Sequence, residues 1–154
     1  MVVPSEDETM KGRRTNPYFR KILVGYDGSK QAEKAVDVAL SLATCLDAKV
    51  LVFAVARPPE PPTAVELEAV LDDAREHYEA AFKGIRRRAG DEIELQMEIA
   101  VGHPAEQIVH RAEIEHVDLI VVGRRGVSGF QKWMLGSISE RVLRYAHCPV
   151  MVIR

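Results

Sequence analysis

The chain has 154 residues, 47% hydrophobic and 29% charged, the balance of a globular domain long enough to bury a sizeable core. Its formal net charge of −2 argues against a general nucleic-acid or anionic-membrane binder, so any anion site must be local. The two cysteines, Cys45 and Cys148, have neither C-x-x-C spacing nor a histidine at zinc spacing, and are expected to be buried free thiols.

The N-terminal stretch "MVVPSEDETMKGRRTNP" has no apolar signal core. It is expected to form a flexible polar tail over residues 1–17, with a single domain over residues 18–154. No apolar run reaches the ~18 residues of a membrane span, so a cytoplasmic protein is expected. "KILVGYD", Lys21–Asp27, reads as a buried strand ended by Asp-Gly. Ala32, Ala35, Val36, Ala39, Ala43 and Leu46 then recur at helical spacing, predicting a helix from about Ser29 to Leu46. "KVLVFAV", Lys49–Val55, is continuously apolar, the mark of a parallel strand covered on both faces. A proline-rich loop follows. Thr63 and Glu66 have the T-x-x-E spacing of a capping box and open a second helix. Its expected buried stripe is Val70, Leu71, Ala74, Tyr78, Ala81 and Ile85, and Arg86–Arg88 suit the negative pole of its dipole as a solvated end.

"IELQMEIAV" alternates, with Ile93, Leu95, Met97, Ile99 and Val101 on one side and Glu94, Gln96 and Glu98 on the other. That pattern predicts an edge strand with one wet face. Pro104 starts a third helix. "DLIVVG" is a fourth strand, "SISERVLRYAH" a fourth helix with Ser137 and Glu140 at capping-box spacing, and "CPVMVIR" a last strand. The alternation of strands and helices predicts an α/β domain with a parallel sheet.

In such a sheet, ligands sit beyond the carboxyl ends of strands, where the strand order reverses. Two ends carry chemistry: "GYDGS", with Asp27, and "VVGRRG", with Gly123. Adjacent first and fourth strands would put both at one crevice. Between Leu119 and Ser139 there is no acid, while Arg124, Arg125 and Lys132 are cationic. Gly136 and Ser137 begin a helix, whose free amides and dipole attract phosphate. The stretch is neither a G-x-x-x-x-G-K-(S/T) loop nor a G-x-G-x-x-G fingerprint. It reads G-x2-G-x9-G-(S/T), from Gly123 through Gly126 and Gly136 to Ser137.

This spacing resembles the nucleotide-binding signature of ATP-binding universal stress proteins. So do "KILVGYDGS", "VGHPAEQIVHRA", "DLIVVGRRG" and "LGSISERVLRYAHCPVMVIR", in that order over Tyr18–Arg154. The resemblance implies a three-layer, Rossmann-like open sheet of five parallel strands in order 3-2-1-4-5, of the adenine nucleotide alpha hydrolase-like type. It implies ATP with Mg2+ in the crevice between the first and fourth strands. Asp27, with Gly25 and Tyr26 before it, would then meet the nucleoside, and Val55 the adenine. Val122, Gly123, Arg125 and Gly126 would line the ribose and phosphates; Gly136, Ser137, Ile138 and Ser139 would hold the triphosphate. The resemblance also implies a cytoplasmic stress-response homodimer joined through Val150–Ile153, with an unidentified protein partner and with neither nucleic acid nor membrane.

The chain departs from the family pattern at Tyr26, where many members carry a smaller residue, and at Trp133 within the nine-residue spacer. Other readings stay open. Asp27-Gly28-Ser29 also fits a plain turn into a helix, Gly123 and Gly126 a tight strand exit, and His103 a structural helix start. The function could instead be slow ATP hydrolysis or self-phosphorylation, or a scaffold binding AMP or cyclic AMP.

Overall fold

In the computed structural model, residues 16–61, 63–125 and 135–154 are described. Most of the expected N-terminal tail, together with Gly126 and Trp133, lies outside them. Five strands, β1 (Lys21–Tyr26), β2 (Lys49–Ala56), β3 (Leu95–Val101), β4 (Leu119–Gly123) and β5 (Val150–Ile153), form one sheet. All neighbours pair in parallel, in the order β3-β2-β1-β4-β5 expected above. The helices are α1 (Lys30–Leu46), α2 (Ala64–Ala89), α3 (Pro104–Ile114) and α4 (Ser137–Tyr145).

The apolar runs of β1, β2 and β4 are continuous because both faces of the sheet are covered. Ile22, Val24, Val50, Val52 and Val121 pack with α1 and α2 on one face. Leu23, Leu51, Phe53, Ile120 and Val122 pack with α3 and α4 on the other. The edges read differently. β3 pairs only with β2, and from Met97 to Val101 each residue is only partly buried. Its charged face is not simply wet: Glu98 is bonded by Arg111 of α3 at 2.6 Å. β5 is the opposite edge, with all four residues partly buried.

Local chemistry sets the helix ends. Ser29 caps α1, its Oγ accepting from the Ala32 N–H at 3.1 Å. Thr63 and Glu66 form the expected reciprocal capping box of α2. Its stripe is fully buried only at Ala74, Ile85 and Ala89, while Val70 and Leu71 are only partly covered. Arg88 is not merely solvated. It bridges Glu33 at 2.6 Å and Asp37 at 3.1 Å on α1, while Arg86 donates to the Leu95 carbonyl at 3.3 Å. Two further expectations are corrected. Cys45 is exposed, because the buried face of α1 runs through Ala39, Leu40 and Ala43 and turns Cys45 away. Ser137 does not cap α4: Gly136 occupies the cap, its carbonyl accepts from the Glu140 N–H at 2.9 Å, and Ser137 is the first helical residue. Among the described residues, no helix is long and apolar enough to cross a membrane.

Candidate functional site

The order reverses between β1 and β4, and a cleft opens there beyond their carboxyl ends. The cavity measures about 70 Å3, or about 500 Å3 counting its open mouth. Of the residues expected from the sequence, Gly25, Tyr26, Asp27, Val55, Val122, Gly123, Arg125, Ile138 and Ser139 border it. Ser137 lines an adjoining pocket instead. Gly136 lies between strand exit and helix, its N–H donating to the Arg124 carbonyl at 2.8 Å. Gly126 is outside the described residues.

The wall is apolar where Phe53, Val55, Ile108 and Val122 meet. Phe53 was not named from the sequence, although it stands two residues before Val55 and so on the same face of β2. Ala32, Pro104 and Ile108 were also missed, since nothing local reveals that α1 and α3 begin beside the same strand ends. Asp27 is the single carboxylate among the described lining residues. One of its oxygens accepts from the Ser29 N–H at 3.0 Å, which fixes the turn from β1 into α1.

Four expected residues have structural duties at this site. Tyr26 borders the cleft, but its ring belongs to the opposite layer, edge-on to Tyr78 at 5.8 Å. Its hydroxyl donates to Glu33, which also meets Arg88. Burial first, then that bond and the Glu33 charge, raise the Tyr26 pKa well above the usual phenol value. Ser139 is 4% exposed, and its hydroxyl donates to the Gly123 carbonyl at 2.6 Å. That bond pins α4 to the end of β4. Gly123 packs so closely on α1 that an added Cβ would stand 2.9 Å from the Gln31 Cβ and 3.1 Å from its carbonyl carbon. Gly136 is similarly tight, with the Arg124 oxygen 3.0 Å from the position of a Cβ. The glycine spacing therefore serves backbone packing at both ends. No side-chain hydrogen bond caps the first amides of α4.

Comparison with known proteins agrees with this architecture. The profile of the universal stress protein family matches residues 18–154. "Universal stress protein MJ0531" of Methanocaldococcus jannaschii is 33% identical over 140 residues, covering 88% of this chain and 82% of that one. The solved universal stress protein UspA from Lactobacillus plantarum superposes with a TM-score of 0.80 at 27% identity, over 90% of this chain and all of that one. A universal stress protein solved in complex with cAMP superposes with a TM-score of 0.65 at 29% identity, over 89% of this chain and 98% of that one. By the profile match, the sequence identity and the shared fold, the chain belongs to the universal stress protein family.

Proposed function

We propose that the protein binds an adenine nucleotide, ATP with Mg2+, in the cleft between β1 and β4, and acts as a nucleotide-dependent regulatory homodimer in the stress response. The observation that carries this reading is the lining itself. An apolar wall of Val55, Ile108 and Val122, one carboxylate at Asp27 and a cation at Arg125 converge beside the start of α4. A flat base suits the wall, ribose hydroxyls can donate to Asp27, and phosphates are attracted to a helix N-terminus. Among the described residues, no group of three His, Cys, Asp or Glu side chains could hold a metal ion. Mg2+ would therefore be held largely by the phosphates, whose charge it neutralises. The edge position of β5, with all four of its residues only partly buried, supports Val150–Ile153 as the dimer seam.

A second reading, AMP or cyclic AMP as the ligand, is favoured by the cAMP complex of the 29% identical relative. One experiment separates the two. The purified protein is denatured and its extract scanned at 260 nm, and the folded sample is melted with ATP, ADP, AMP or cyclic AMP. A ligand at a hundred times its Kd stabilises by about 2.7 kcal/mol, and a chain of this size shifts about 2–4 °C per kcal/mol. The expected result is the largest shift with ATP. A larger shift with cyclic AMP assigns the second reading. No extracted adenine and no shift with any of the four refutes both. Light scattering should give twice the 17.2 kDa chain mass; the single-chain mass refutes the dimer.

A further inference from the structure

A second cavity of about 220 Å3 lies beside the cleft, sharing Pro104 and Ile138 with it. Its other lining residues are Arg57, His103, Ala105, Ser137 and Arg141. They come from three places: the residue just after β2, the start of α3 and the first turns of α4. Arg141 follows Ser137 by four residues, so both stand on one helix face. Among the described residues, no acidic one lines this cavity, although the chain as a whole is net negative.

The acids beside Arg141 and His103 hold them loosely. Arg141 meets Glu106 at 4.0 Å, with side chains 59% and 66% exposed. His103 meets Glu60 at 3.3 Å across a similarly open contact. Exposed pairs of this kind contribute little, so a guanidinium can turn to a stronger anion without much loss. Two guanidinium forks next to the uncapped amides of α4 match the several oxygens of a phosphate chain better than a single carboxylate.

We propose that this side pocket is a phosphate subsite in which Arg57 and Arg141 read the number of phosphates on the ligand held in the neighbouring cleft. The proposal rests on the nucleotide reading of that cleft and adds two specificity residues that the family resemblance does not assign. Arg57 and Arg141 make a ligand with a phosphate chain bind more tightly than the bare nucleoside. They leave recognition of the base unchanged.

The test measures Kd for adenosine, AMP, ATP and inorganic tripolyphosphate by calorimetry, on wild type and on the Arg57→Gln/Arg141→Gln double variant. Both side chains are exposed, so the variant should fold, and an unchanged far-UV spectrum and melting point check this. The expected result is that ATP and tripolyphosphate each weaken at least about tenfold, a change of 1.4 kcal/mol, while adenosine stays within about twofold. Unchanged ATP and tripolyphosphate binding overturns the subsite and leaves the cleft reading standing. Should wild type bind tripolyphosphate through these arginines but no nucleotide, the subsite holds and the cleft reading falls. If wild type binds none of the four, both are overturned.

Discussion

Replacing Gly123 by alanine should weaken the fold before it affects any ligand. The added methyl would stand 2.9 Å from the Gln31 Cβ, 3.1 Å from the Gln31 carbonyl carbon and 3.2 Å from the Ala32 nitrogen. None of these atoms can swing aside, because all belong to the first turn of α1 or lie one bond from it. Trimming Gln31 to alanine would not help, since the close atoms would remain. Either α1 or the end of β4 must shift, and overpacking of this sort costs about 1–3 kcal/mol. For a domain of this size the melting point should fall by roughly 5 °C. Gly25→Ala is the control. Its methyl would meet the Ile108 Cδ1 at 3.0 Å and the Val122 Cγ1 at 3.2 Å, side-chain atoms rather than backbone, the first at the end of a chain that can turn. The assay is thermal melting of nucleotide-free protein followed by circular dichroism. The expected order of stability is wild type, then Gly25→Ala, then Gly123→Ala. A Gly123→Ala protein that melts within about 1 °C of wild type yet loses ATP binding would refute the packing argument. The glycine would then act on the ligand directly.

Three further outcomes follow from the same contacts. Ser139→Ala removes the donor to the Gly123 carbonyl from a part-buried hydrogen bond, so chemical denaturation should show a loss of about 0.5–1.5 kcal/mol; an unchanged midpoint sinks this reading. The Tyr26 phenol ionises above its usual value of 10.0 because it is buried and donates to Glu33. A raised folded-state pKa favours the neutral form in the fold, so its stabilisation is complete below pH 10.0 and is lost as pH rises toward the folded value. Tyr26→Phe should therefore flatten the alkaline fall in melting temperature, with Tyr78, shifted the same way by burial and by Asp27, supplying what remains. Glu115 is shifted the other way, below its ordinary 4.5, first by its hydrogen bond from Lys21 and then by the Lys21 and Arg111 charges. Its contribution is present above pH 4.5 and lost as pH falls, so Lys21→Met should reduce the acid-side dependence of stability; an identical acid limb would remove Glu115 from the account.

What could be read from the sequence was whatever depends on near neighbours along the chain. The runs Ile22–Val24, Val50–Ala54 and Leu119–Val122 announce covered strands because successive residues meet opposite helical layers. The alternation of β3 announces an edge because Leu95 and Met97 face the aliphatic core on one side, while on the other only Ala100 packs against the second cluster. The Thr63–Glu66 box was legible for the same reason, as both partners lie within one turn. Two of the readings that failed needed a partner from elsewhere. Ser137 and Glu140 have capping-box spacing, but Gly136 takes the cap because its own N–H is anchored on Arg124 across the strand exit. Arg88 looked like a dipole-matched helix end, and only the packing of α2 on α1 reveals Glu33 and Asp37 beside it.

The same distinction applies to the site. Asp27, Gly123 and Gly136 stood out because glycine and acid interrupt apolar runs, and the structure then gives each a local structural duty as well. Arg57 and Arg141 carried no signal, being single cations in separate segments, and His103 read only as a helix start. They meet only because parallel strands all deliver their following loops to one end of the sheet. Motif spacing thus marks where backbone must come close. The charges that would sort one anionic ligand from another are placed by topology, and in this chain they lie outside the motif.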